Sequence, residues 1–274
     1  MEFSSEVLIL EVDGHVATLW LDREEARNAM GSALWRDLPL AAAAVSGEKD
    51  IRVLIIAAKG PHFSVGLDLK EYGGGLAATS TPKSRAAANA QSFAAVRAMQ
   101  ASVTSIAELA VPVIAAVQGY CIGGGVDLVS ACDLRLCARD AKFSVRETKI
   151  AIVADLGSLQ RLPRIIGAGH LAELAYTGKD IDAGRALAIG LVNAVFDTTD
   201  DLIAGARELA SEIARNSPLA VQGTKAVLAA NDGRSVDEGL EFVARWNTMY
   251  LQSNDLREAM TAFVEKRPPV FHGD

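Results

Sequence analysis

Residues 111–128, VPVIAAVQGYCIGGGVDL, run an apolar stretch straight into three consecutive glycines and a new helical pattern. A short apolar run without polar alternation reads as a strand covered on both faces, the kind found in α/β proteins. The glycines after it let the chain turn sharply and leave backbone N–H groups with no side chain standing over them. RVLIIAA, residues 52–58, repeats the theme and is followed by a second glycine-bearing turn, FSVGLDL, at 63–69. Both turns therefore fall just beyond buried strands, and a helix beginning at the three glycines favours developing negative charge there, the chemistry of an oxyanion hole. The plainer reading is a tight turn.

The remaining pattern fits the same class. Residues 7–22 read as a hairpin around Asp13 and Gly14, while 133–138 and 142–145 read as two short strands. SALWRDLPLAAAAV and the Ala-rich piece from about Ser84 to Leu109 have helical period and propensity. Two later helices stop at Gly178 and Gly190. The tract from Gly73 to Ser84 reads as a mobile loop. Past Thr199 strand-like runs cease, and four amphipathic segments each begin at Asp, Ser or Asn. The expected organisation is an α/β core over 1–198 and a helical oligomerisation segment over 199–274.

Composition removes several functions. The 274 residues carry a formal net charge of −7, which disfavours a general affinity for nucleic acid or anionic membranes. No apolar run approaches the roughly 20 residues of a membrane-spanning helix, and the N-terminus lacks a secretory pattern, so a cytoplasmic location is expected. Cys121, Cys132 and Cys137 form no CxxC pair and have no flanking His at metal-ligand spacing, so neither a disulfide nor a zinc site is expected. His15, His62, His170 and His272 have no evident serine and carboxylate partners, which disfavours a Ser-His-Asp hydrolase.

The stretch KFSVRETKIAIVADLGSLQRLP, 142–163, sets Glu147 and Asp155 among apolar residues, and Asp127 follows the glycine triplet. Carboxylates in such surroundings need partners or take up protons, so they are candidates for proton transfer. Each also has a plainer reading. Glu147 has Arg146 and Lys149 beside it for an ion pair, Asp155 stands where it can cap a helix, and Asp127 can complement a helix dipole.

Taken together, LDREEARNAM, FSVGLDLKE, the segment VPVIAAVQGYCIGGGVDLVSACDLRLCA, the segment KFSVRETKIAIVADLGSLQRLPRIIG and the late AIGLVNAVF resemble the crotonase, or enoyl-CoA hydratase/isomerase, superfamily across nearly the whole chain. The resemblance implies a spiral of ββα units with trimerising C-terminal helices and an acyl-CoA thioester as substrate. It implies an oxyanion hole formed by the N–H groups of Leu67 and Gly124, with Gly66, Leu67, Asp68, Leu69 and Lys70 beside the thioester and pantetheine. Ala26 and Arg27 fall near the nucleotide end, and Lys266 is a weaker candidate for a CoA phosphate. The trio Asp127, Glu147 and Asp155, with VADLG, SPLAVQGTK and VARWN, is similar to the dienoyl-CoA isomerase branch, which moves a 3,5-diene into 2,4-conjugation with the thioester. By that likeness Glu147 is the base at C2, Asp155 the acid at C6, and Asp127 supports Glu147 through a hydrogen bond. No metal or redox cofactor is called for, because the conjugated thioester is itself the electron sink. A homotrimer or a dimer of trimers is implied as well. The runner-up is a 2-enoyl-CoA hydratase using Asp127 and Glu147, and a noncatalytic acyl-CoA sensor is the alternative from another class.

Overall fold

A computed structural model describes residues 3–76 and 85–274. The chain opens with β1 (Phe3–Ser4), β2 (Leu8–Asp13) and β3 (Val16–Leu21), paired antiparallel, and Gly14 takes the left-handed backbone that the tight β2–β3 turn requires. After a single 3-10 turn at Glu24–Ala26 come α1 (Ser32–Gly47) and β4 (Val53–Ala58). Next follow α2 (Leu69–Leu76), α3 (Arg85–Ala107), β5 (Val113–Val117), β6 (Tyr120–Ile122), α4 (Gly124–Ser130), β7 (Leu134–Ala138) and β8 (Lys142–Ser144). A second 3-10 turn, Glu147–Ile150, leads to α5 (Ser158–Ile166), α6 (Ala168–Thr177), β9 (Ile181–Asp182), α7 (Ala183–Ala188) and β10 (Ala194–Phe196). Four helices close the chain: α8 (Thr199–Ala214), α9 (Pro218–Ala230), α10 (Val236–Tyr250) and α11 (Asn254–Glu265).

Seven strands form one sheet in the order β1-β2-β3-β4-β5-β7-β10, parallel from β3 onward, and β6, β8 and β9 form a smaller second sheet. The unbroken apolar runs are explained by what covers them. On β4, Leu54, Ile56 and Ala58 join the large core under α1 and α3, while Val53, Ile55 and Ala57 face the opposite way, onto α8. β5 divides in the same manner, with Val113, Ala115 and Val117 on one side and Ile114 and Ala116 on the other. A strand buried on both faces has no polar face to alternate with.

Two expectations change. Residues 73–76 of the presumed loop complete α2, and the rest of that tract, 77–84, lies outside the described residues. The four C-terminal helices also differ in kind. α8 buries Leu202, Ala206, Ala210 and Ala214 against the main sheet and so belongs to the core, whereas α9, α10 and α11 bury only Gly223, Gly239, Asp255 and Ala262. The boundary expected between 198 and 199 follows secondary structure, and the change in packing comes one helix later. Each of the four helices starts at a Ser or Thr whose side chain accepts a backbone N–H, with a full capping box at Ser235 and Glu238. No helix among the described residues is long and apolar enough to cross a membrane.

Candidate active site

The two glycine turns meet beyond the ends of β4 and β5. Gln118, buried just after β5, donates from Nε2 to the carbonyls of Ala58 (2.8 Å) and Gly60 (3.0 Å) and so ties the two strand ends together. The chains then run side by side: Ser64 N donates to Tyr120 O (2.9 Å) and Ile122 N to Ser64 O (3.0 Å). Gly66 has a φ of +82° and Gly123 one of +54°, both in the left-handed region. A Cβ at Gly66 would lie 2.7 Å from Ile122 O, so only glycine allows this approach. Among the described residues the N–H groups of Leu67 and Gly124 donate to nothing, although those of Gly66, Asp68 and Gly123 all have acceptors. The arrangement leaves two adjacent backbone donors at one end of a cavity of about 280 Å³.

That cavity is lined by Leu67, Gly124 and all three candidate acids, with Trp35, Leu69, Tyr72, Val96, Met99, Ile150, Ile152 and Leu156 making most of its wall apolar. Asp127, on α4, is 1% exposed, and Oδ1 accepts the Ser158 N–H at 2.6 Å. Burial raises its pKa to about 6, against the pull of that hydrogen bond and of the Arg161 charge. Glu147 lies over the glycine turn, where a Cβ on Gly123 would come within 3.0 Å of Oε1. Its Oε2 is buried with no hydrogen-bond partner. Burial, reinforced by the nearby charges of Asp127 and Asp155, lifts its pKa to about 7. Asp155 stands at the mouth, more exposed than the other two, with a pKa raised by partial burial, and its backbone carbonyl accepts from Gln100 Nε2 on α3 at 2.6 Å.

Two of the plainer readings find little support, while Asp127 does lie in the first turn of α4, where an acid complements the helix dipole. Arg146 pairs with Asp180, and Lys149 lies against Gly178, so neither neighbour neutralises Glu147. The residue before α5 is Gly157, and no side chain of its own segment caps that helix. Asp127 reaches α5 from a different helix, and it makes no hydrogen bond to Glu147 among the described residues. The expected direct link between those two carboxyls is therefore replaced by an interaction through space.

Other expected contacts divide. Gly66 and Leu69 line the cavity beside Leu67. Asp68 does not: its carboxylate is taken by Arg23 at 2.7 Å and by the N–H groups of Lys70 (3.0 Å) and Glu71 (3.2 Å), so it anchors the start of α2. Lys70 and Arg27 are exposed outside the cavity wall, and Ala26 is half-buried beside Arg27. The Arg27 carbonyl accepts Val65 N at 3.2 Å, which holds this loop against the first glycine turn. Lys266 ends α11 in a left-handed conformation and has no place in the cavity. Cys121, Cys132 and Cys137 are free and buried. Apart from Leu69, the apolar wall residues went unpredicted, because helical periodicity marks Val96 and Met99 as one face of α3 without saying what that face meets.

The family model for enoyl-CoA hydratase/isomerase matches residues 11–274, and the chain belongs to this family, the crotonase superfamily. Among its relatives, the protein of Dictyostelium discoideum named Delta(3,5)-Delta(2,4)-dienoyl-CoA isomerase, mitochondrial, is 43% identical over 93% of this chain and 87% of its own length. An Arabidopsis thaliana protein named for the same isomerase, peroxisomal, is 41% identical over 97% and 96%. A crystal structure of enoyl-CoA hydratase from Bacillus anthracis superposes with a TM-score of 0.89 at 32% identity, covering 98% of this chain and all of that one.

Proposed function

We propose that the protein isomerises 3,5-dienoyl-CoA thioesters to their 2,4-dienoyl isomers. The single observation that carries this reading is the third acid: Asp155 stands in the same apolar cavity as Asp127 and Glu147, at its mouth, while two undonated N–H groups occupy the glycine end. Hydration across C2 and C3 has no use for a remote acid, and moving a diene along the chain does. The names of the relatives from Dictyostelium and Arabidopsis support the same reaction.

In this reading the thioester oxygen accepts from Leu67 N–H and Gly124 N–H. Glu147 removes a proton from C2, and the electron pair spreads through C4 to C6 as a dienolate whose negative charge rests largely on that oxygen. Each preorganised donor there lowers the barrier by roughly 3 kcal/mol. Asp155 delivers a proton at C6, leaving double bonds at C2 and C4. A base with a pKa of about 7 is well matched to a reaction near neutrality. The unpartnered Oε2 of Glu147 keeps one oxygen free for the incoming proton. The charge of Asp127 raises the proton affinity of Glu147.

The coenzyme carries the thioester, and we assign Ala26 and Arg27 to its nucleotide end, outside the acyl cavity. We place α9, α10 and α11 in a subunit interface of a trimer or a dimer of trimers, a role favoured by the exposure of Leu240, Met249, Phe263 and Val264. The cytoplasmic location expected from the N-terminus stands beside relatives named mitochondrial and peroxisomal, so the reaction and not the compartment is the shared element. The test is to equilibrate the purified protein with 3,5-dienoyl-CoA and, separately, with 2-enoyl-CoA while following the ultraviolet spectrum. Growth of conjugated-diene absorbance from the first substrate is expected. Loss of the enoyl band from the second, without any reaction of the first, identifies a hydratase, and binding without turnover identifies a sensor.

A further inference from the structure

The carboxylate of Asp127 never reaches Glu147, so something else must fix where its charge sits. That part falls to the first turn of α5, which approaches α4 with Ser158 foremost. The Ser158 N–H donates to Asp127 Oδ1 at 2.6 Å, and the Ser158 hydroxyl, in a residue only 1% exposed, has no hydrogen-bond partner of good geometry and bears on the same carboxyl, whose charged form it favours. A buried hydroxyl left unpaired costs about 1–3 kcal/mol, so one beside a carboxylate is poised to donate to it. Ser158 is absent from the cavity wall and touches no substrate position.

We propose that Ser158 is a positioning residue that holds Asp127 as the charged neighbour of Glu147, through its N–H and its otherwise unused hydroxyl. This rests on the isomerase reading, in which Glu147 is the base. The groups that face Asp127 are Glu147 from the 3-10 turn, Asp155 from the loop before α5, Arg161 from α5 itself and Cys121 from β6. Only Ser158 and Arg161 favour its ionised form. Arg161 acts from farther off, since its guanidinium donates to Leu156 O (3.3 Å) and Thr104 Oγ1 (3.1 Å). Gly157 leaves the space this guanidinium occupies, for a Cβ there would overlap it. Without the hydroxyl, Asp127 holds a proton to higher pH, Glu147 loses the adjacent charge, and the base weakens.

Ser158→Ala tests this with two readouts. Isotope-edited infrared titration of the Asp127 carboxyl, identified by its disappearance in Asp127→Asn, should show the midpoint rising by about one pH unit, equivalent to about 1.4 kcal/mol. At pH 7 kcat on the dienoyl substrate should fall about twofold with KM unchanged, then recover as pH rises, and Ser158→Thr should restore both. If the alanine variant does not fold, Ser158→Cys keeps the volume, weakens the donor and should shift the midpoint in the same direction. An unchanged midpoint, or a raised KM at constant kcat, overturns the proposal. If the unaltered protein fails to isomerise dienoyl-CoA, the functional reading falls, and the infrared titration still decides the role of Ser158.

Discussion

The two ends of the acyl cavity are built by different means. At the glycine end, position is set by backbone: Ser64, Met30, Ile122 and Gly123 each donate an N–H to a carbonyl of a neighbouring segment, and a side chain at Gly66 would strike the Ile122 carbonyl. At the acid end, Glu147 opens a 3-10 turn that finishes on left-handed Ala151, Asp155 follows in the next loop, and a Gln100 side chain secures the Asp155 backbone. The difference matches two tasks. Donors that stabilise a developing charge must be in place before the reaction, whereas a proton carrier needs to approach carbon and withdraw. Asp127, between the two ends, is fixed like the first and titratable like the second.

Substitutions can break this contrast in graded ways. Glu147→Gln should lower kcat about a thousandfold with little change in KM, because the amide keeps the shape and cannot accept the proton; steady-state kinetics on 3,5-dienoyl-CoA measures it. Gly66→Ala should lower kcat about a hundredfold and also destabilise the fold by about 2 kcal/mol, since its φ of +82° and the 2.7 Å approach to Ile122 O penalise any Cβ. Denaturant melts alongside kinetics separate the two effects, and a fall in stability with full activity would take the glycine end out of catalysis.

The acid end should reveal itself through pH. The folded-state pKa of Glu147 is raised from 4.5 to about 7, so the folded chain binds more protons than the unfolded one between those values. Its contribution is fully present below pH 4.5 and is lost as pH rises through 7. Glu147→Gln should accordingly be more stable than the native sequence by about 3 kcal/mol at pH 8, with the gap closing toward pH 4.5. Thermal melts across that range check the sign. Least affected should be Gln100→Ala: kcat should drop only a few-fold, because a single side chain to backbone bond is worth about 1 kcal/mol.

How much of this was legible beforehand follows the same division. Buried strands announce themselves by unbroken apolar runs, and glycines by the turns they permit, so β4, β5 and the two turns stood in the sequence at nearly their final bounds. The strands β1, β6, β9 and β10 did not, being two or three residues long and, except for β1, held by partners distant in the chain. The three acids were visible as charges among apolar neighbours, but their partners were not. Asp68 looked like part of the thioester site until Arg23 and the start of α2 claimed its carboxylate. Ser158, an ordinary serine after a glycine in sequence, acquires its meaning only because α5 points its first turn at a helix that begins more than thirty positions earlier. Likewise the amphipathic stripe of α8 gave no hint that it faces its own sheet, because a stripe declares that it is covered and not by what.

The central claim is that two separate carboxylates remove and deliver the proton, at C2 and C6. Turning over 3,5-dienoyl-CoA once in heavy water, with the product read by mass spectrometry and NMR, tests it most directly. Asp155 stands at the solvent-facing mouth and exchanges its proton, so the product should carry one deuterium at C6. A C6 position that instead holds the hydrogen taken from C2 would mean a single group shuttling the proton, and would contradict the account.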